Sequence, residues 1–114
     1  MSLKRVLEKL ESLGLSHTDS VLYIYLAKNG PKKGRDLRNI LKMSKQNLYL
    51  SLKNLRNKQI VIANNESPSE YCAVSFEKVL DLLIEIKIKQ SEVILETKKG
   101  LLSNWRSIDW KNNS

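Results

Sequence analysis

Apolar residues recur at helical spacing from the start of the chain. Leu3, Val6, Leu7, Leu10 and Leu13 mark one face, so residues 2–13 read as a short amphipathic helix that Gly14 ends. Ser16 fits the N-cap of a second helix, with Asp19 in its first turn, where a negative charge meets the positive end of the helix dipole. Val21, Leu22, Tyr25 and Leu26 supply that helix with an apolar face, and Asn29-Gly30-Pro31 stops it. Residues 35–41 predict a brief third helix with Leu37, Ile40 and Leu41 inward. Lys42-Met43 is then a turn, and Ser44 caps a fourth helix running to about Lys58. Its Leu48, Leu52 and Leu55 stand at i, i+4 and i+7 and face the core.

The period then switches. Ile60-Val61-Ile62-Ala63 and Tyr71-Cys72-Ala73-Val74 are short β-type runs, and the turn-rich loop from Asn64 to Ser69 joins them as a hairpin. Ser75 caps a long helix from Phe76 onward, with a broad apolar stripe that includes Leu80, Leu82, Ile84, Ile88 and Ile94. If it ends near Gly100, it spans roughly 35–40 Å. A small helical core cannot cover such a stripe, and left bare it invites aggregation. A partner helix, most simply from a second copy of the chain, is expected to cover it. Val79, Leu83, Ile86, Val93 and Leu95 are the candidate dimerisation residues. Trp105 and Trp110 in the tail either anchor a partner or pack onto their own chain.

At 114 residues the chain has the size of one domain, and 41% hydrophobic residues suffice for a core. Four glycines and two prolines are too few for a turn-rich all-β fold. No apolar run approaches a membrane span of roughly 20 residues. Met1-Ser2-Leu3-Lys4-Arg5 lacks a signal-peptide core, so cytoplasmic residence is expected. Cys72 is the only cysteine and His17 the only histidine. An internal disulfide, a cysteine-rich zinc site, a histidine-based triad and a two-histidine metal site are all excluded within one chain. The sequence offers no set of nucleophile, base and oxyanion donors and no cofactor motif, so neither an enzyme nor a cofactor is expected. Cys72, His17, Tyr23, Tyr25 and Tyr71 read as structural.

Charge changes the picture. Residues 28–58 hold ten cations (Lys28, Lys32, Lys33, Arg35, Arg38, Lys42, Lys45, Lys53, Arg56, Lys58) against Asp36 alone, a net of +9. Residues 1–27 balance at three of each sign, and residues 59–114 carry seven cations and eight acids. One segment thus generates the whole formal charge of +8. A solvated face usually mixes signs, so this bias points to an anionic partner.

A short helix, a tight turn and a capped helix make a helix-turn-helix plan, and a hairpin directly after it is a wing. The fold class expected is mainly α with a small β-hairpin. Residues 1–75 would form a winged helix-turn-helix DNA-binding domain, and 76–114 a long C-terminal helix and tail for dimerisation. In such modules the second helix enters the major groove, N-terminal side chains first. With the leucines inward, the outward arc of residues 44–58 holds Gln46, Asn47, Tyr49, Leu50, Lys53 and Asn54. Gln46 and Asn47 suit adenine, Lys45 suits guanine or phosphate, and Leu50 suits a thymine methyl. Lys32, Lys33 and Arg35 flank the third helix and would contact phosphate. Ser44 is a cap that can also touch DNA, and Tyr49 fits the core and the interface equally.

The stretches LESLGLSHTDSVLYIYLAKNGP (10–31), DLRNILKMSKQNLYLSLKNLRNKQIV (36–61) and SPSEYCAVSFEKVL (67–80) carry a resemblance. In order and spacing the chain, over about residues 7–95, resembles the winged-helix domain of the TrmB-like transcription regulators, found chiefly in archaea. The resemblance implies sequence-specific binding of double-stranded DNA. Many members also bind sugars through a separate C-terminal domain, but no sugar site carries over to residues of this chain. Three departures stand out. Lys42 replaces the usual glycine of the turn, which asks a non-glycine residue for an unusual backbone angle. Gln59 replaces the glycine that commonly follows the recognition helix. The wing, normally basic, carries Glu66 and Glu70, which repel phosphate and leave Asn64 and Asn65 for neutral contacts.

The expected function is a homodimeric DNA-binding regulator whose two recognition helices read half-sites about one helical turn apart, the long helices acting as a coiled-coil spacer. The alternative is a winged-helix adaptor for protein assembly, which the acidic wing also suits. RNA or single-strand binding would need more stacking platforms than Tyr49.

Overall fold

A computed structural model of the protein describes residues 2–110. Along them run α1 (Leu3–Ser12), α2 (His17–Asn29), β1 (Lys32–Lys33), α3 (Gly34–Leu41), α4 (Lys45–Asn57), β2 (Val61–Ala63), β3 (Glu70–Ala73) and α5 (Phe76–Ser107). The outer ends of the two predicted segments, Met1 and residues 111–114, lie outside the described residues.

Local chemistry sets most of these boundaries. The Ser16 hydroxyl accepts from the Asp19 amide at 3.0 Å, and the Ser44 hydroxyl from the Asn47 amide at 3.1 Å. Each cap satisfies an amide that the helix leaves free, worth about 1 kcal/mol. Ser75 occupies the N-cap position of α5 without a side-chain bond, so that start rests on packing. The turn between α3 and α4 places Lys42 in the left-handed region, φ 53 and ψ 44, and the Met43 amide closes it onto the Arg38 carbonyl at 3.2 Å. The angle expected there is therefore real, and a side chain held in it costs about 1–2 kcal/mol. Gln59, just past α4, is also left-handed at φ 63.

The sheet is larger than the predicted hairpin. Its order is β1-β3-β2, all antiparallel, with Lys32 opposite Tyr71 and Lys33 opposite Glu70 on one side of β3. On the other side Val61 faces Ala73 and Ala63 faces Tyr71. Cys72 lies half-buried on β3. A two-residue strand has no alternation to read, so β1 exists only through its partner.

Leu22, Leu26, Leu37, Leu48, Leu52, Leu55 and Ile60 form the centre of the core, sealed by Leu10, Leu15 and Val61. Ile40, expected inward, is exposed, because α3 is short and turns only Leu37 fully inward with Leu41 half-buried. Tyr23 is wholly buried: its hydroxyl donates to the Val74 carbonyl at 2.6 Å, and its ring stacks on Phe76 with centroids 6.5 Å apart. Burial pushes its pKa up from 10.0 to about 12. The fold therefore favours the neutral phenol. That stabilisation is complete below the unfolded value near 10 and is lost as pH rises through about 12. Urea midpoints are expected to fall between pH 10 and 12, with a shallower fall in Tyr23→Phe, which cannot ionise. At neutral pH the same variant should cost about 1 kcal/mol for the lost hydrogen bond.

α5 runs through Gly100 to Ser107, 32 residues or about 48 Å, in a molecule 61 Å long. Two of its proposed dimerisation residues need correcting. Val79 and Leu83 are at most 1% exposed within their own winged domain, so they seal its core and have no surface left for a partner. Ile86 is half-buried, while Val93, Leu95, Trp105 and Trp110 are exposed. Among the described residues no helix is long and apolar enough to cross a membrane.

Candidate nucleic-acid interface

The same period that buries Leu48, Leu52 and Leu55 turns the other side of α4 outward. Lys45, Gln46, Asn47, Tyr49, Leu50 and Lys53 are exposed, and Asn54 is half-buried. Leu50 keeps 58% of its surface in solvent, an apolar side chain that the fold itself does not use.

α4 is held in place by one polar clamp besides its leucines. The buried Ser51 hydroxyl donates to the buried carboxylate of Asp19, tying α4 to the start of α2 across 32 residues of sequence. In the sequence Asp19 shows only as a dipole partner for α2, and nothing in the local pattern marks Ser51. Ser51→Ala would strand a buried carboxylate, so thermal denaturation is expected to show a loss of about 1–3 kcal/mol. The conservative Ser51→Thr should recover part of it.

The placement of the other expected contacts is mixed. Lys33 and Arg35 are exposed at the start of α3. Lys32 is half-buried in β1 and its ammonium donates back to the Asn29 carbonyl at 3.3 Å, so it is tied to the end of α2. Ser44 is exposed and its hydroxyl serves the cap. Asn65 stands exposed in the wing, but the Asn64 side-chain oxygen accepts from the amides of Glu66 at 3.2 Å and Glu70 at 2.8 Å. That oxygen shapes the wing loop and is engaged within it.

Tyr49 is partly exposed and partly packed. It is 41% exposed, yet its hydroxyl end sits against Gly34 where a Cβ would overlap it. A larger residue at position 34 would have to displace the Tyr49 ring from the start of α3. Tyr71, on the central strand, has its pKa raised by burial and by nearby Tyr49, with Arg56 opposing.

On the other flank a cleft of about 540 Å³ lies between the start of α2, the turn and α4, lined by Thr18, Lys42, Asn47, Leu50 and Asn54 among others. Thr18 was missed because only the packing of α2 on α4 brings it there. The cleft can thus offer amide, hydroxyl, ammonium and apolar groups to one ligand surface.

A short helix, a strained tight turn, a capped helix with a polar outer face and a hairpin define a winged helix-turn-helix module. A family model described as "Sugar-specific transcriptional regulator TrmB" matches residues 10–77. The chain belongs to this TrmB family of transcriptional regulators.

Its fold is similar to that of TrmBL2, an archaeal chromatin protein whose structure shows a novel mode of DNA binding. The two share 21% identity with a TM-score of 0.79 over 91% of this chain and 42% of that one, so the chain spans less than half of TrmBL2. The ST1889 protein of the thermoacidophilic archaeon Sulfolobus tokodaii is 21% identical, with a TM-score of 0.62 over 77% of this chain and 97% of that one. The transcriptional regulator Tm0710 of Thermotoga maritima is 20% identical, with a TM-score of 0.58 over 97% of this chain and 88% of that one. At these identities the likeness is one of fold. Comparison with curated protein sequences gave no match.

Proposed function

We propose that the protein is a homodimeric regulator that binds double-stranded DNA sequence-specifically, with residues 44–58 as the recognition element in the major groove. The observation that carries this is the division of α4: three leucines at most 1% exposed on one side, and Gln46, Asn47, Leu50 and Lys53 in solvent on the other. Amide side chains read adenine and a leucine meets a thymine methyl, so this face has the chemistry of base edges. Lys33, Arg35 and Lys45 set register on phosphates. Family membership supports the regulatory role. TrmBL2, with the same fold, supports DNA as the partner class.

The exposed distal stripe of α5 supports assembly of two copies. The wing, with Glu66 and Glu70, contributes at most neutral contacts through Asn65 and the Asn64 amide nitrogen. The winged helix, whose core takes in α5 as far as Leu83, and the distal part of α5 thus act as separate functional units.

Selection from a random duplex pool, followed by fluorescence anisotropy on the winning sequence, tests the proposal. Enrichment of a defined motif is expected, with affinity falling on a log–log salt slope of about −5 if roughly three phosphates are neutralised per subunit. Equal affinity for all duplexes would remove sequence specificity from the account. No retention even at low salt would remove DNA.

A further inference from the structure

The distal half of α5 carries a pattern that specifies how two copies meet, an inference that rests on the homodimer proposed above. Ile84, Ile88, Leu95, Leu102 and Trp105 are 43–74% exposed. They follow a four-three spacing that stays on one side of the helix, as in a coiled-coil seam. Val93 stands half a turn away and leaves the seam. Two polar residues interrupt it, Ser91 and Lys98, both exposed.

The positions flanking this seam on one side fall every seventh residue: Glu85, Glu92, Lys99 and Arg106, all exposed. They are acidic in the first half and basic in the second. A sequence of this kind is complementary to its own reverse. In an antiparallel pair, flanking positions of this type meet their own kind from the other helix. With Ile88 packed on Trp105 of the second copy and Leu95 on its Lys98, Glu85 lies beside Arg106 and Glu92 beside Lys99. The two-fold axis repeats both, giving four opposite-charge contacts.

A parallel, in-register pair does worse. Lys98 would face Lys98 across the seam, and the flanks would offer only Glu92 with Lys87. In the antiparallel pair each Lys98 can lay its stem along Leu95 and reach water with its ammonium. The intrahelical pairs Lys89–Glu85 at 3.1 Å and Lys99–Glu96 at 3.5 Å are solvent-exposed and readily exchanged.

We infer that residues 84–108 of α5 pair antiparallel with the same segment of a second copy, about an axis near Leu95 and Glu96. The winged domains then sit at opposite ends. Each lies roughly 30 Å from the axis at 1.5 Å per residue. Their separation is nearer two turns of duplex than the single turn suggested by the sequence.

Disulfide trapping decides the orientation. In a Cys72→Ser background, Ile88→Cys and Trp105→Cys chains carrying different tags are mixed under mild oxidation. The antiparallel pair gives the mixed disulfide and no Ile88→Cys self-link. Self-linked Ile88→Cys overturns the orientation and leaves the homodimer standing. A wild-type chain that sediments as a monomer at about 100 μM overturns both.

Charge reversal gives an independent reading on surface positions that do not affect folding. Lys99→Glu with Arg106→Glu should weaken the dimer about tenfold or more at low salt. Adding Glu85→Lys and Glu92→Lys should restore it to within about threefold. In a parallel pair Lys99 and Arg106 face Ile94 and Leu101, so an unchanged dimer in the first variant overturns the inference.

Discussion

Replacing Lys45 and Lys53 together by glutamate is expected to abolish duplex binding while leaving the protein folded and dimeric. Both side chains lie exposed on α4, away from its buried leucines, and the described residues give neither an ion pair within the chain. Their loss therefore costs the fold little; surface changes of this kind stay within about 0.5 kcal/mol. In the proposed complex they would act at the groove floor and at its phosphate edge, four cations per dimer. At about 1 kcal/mol for each lost contact, with repulsion added, affinity should drop by about a thousandfold or more. Anisotropy at two salt concentrations measures this, and sedimentation shows that the dimer survives. Undiminished affinity in a folded double variant would move the recognition surface off α4. Assembly partners retained alongside lost DNA binding would still fit a regulator, whereas an adaptor would lose neither.

The second large effect separates two leucines in one helix. Leu52 is 1% exposed and Leu50 58% exposed, two residues apart. Leu52→Ala opens a cavity among Leu22, Leu48 and Leu55 and is expected to cost about 2–5 kcal/mol. A domain of this size holds only about 5–15 kcal/mol in total, so the variant should unfold at markedly lower urea. Leu50→Ala should leave the urea midpoint nearly unchanged and weaken only the selected duplex, by about tenfold if a thymine methyl is lost. Equal destabilisation by both would mean that Leu50 is a core residue and that α4 is rotated to bury it.

This pair also shows why much of the site was legible in advance. The i, i+4, i+7 leucines set the rotation of α4, and rotation alone names the outward residues. The basic block needed no structure either, since composition along the chain is enough to see it. What could not be read was engagement. Asn64, Lys32 and Ser44 looked available because their side chains are polar. Their oxygen or nitrogen atoms turn out to be committed to a loop, a helix end and a cap. Likewise Val79 and Leu83 share an apolar stripe with Leu95. Only the position of the winged domain along α5 reveals which part of that stripe is already covered.

By itself the sequence determined the helices, the caps at Ser16 and Ser44 and the wing hairpin, because hydrophobic period and capping act within a few residues, while the left-handed turn at Lys42 was legible only through the family resemblance. Tertiary structure alone decided β1, which is a strand only where Tyr71 and Glu70 pair with it. It also decided the Asp19–Ser51 clamp, the bond from Tyr23 to Val74 and the reach of Thr18 toward α4. These contacts join residues tens of positions apart. Nothing in the local pattern says which distant group will satisfy a buried hydroxyl or carboxylate until the chain has packed.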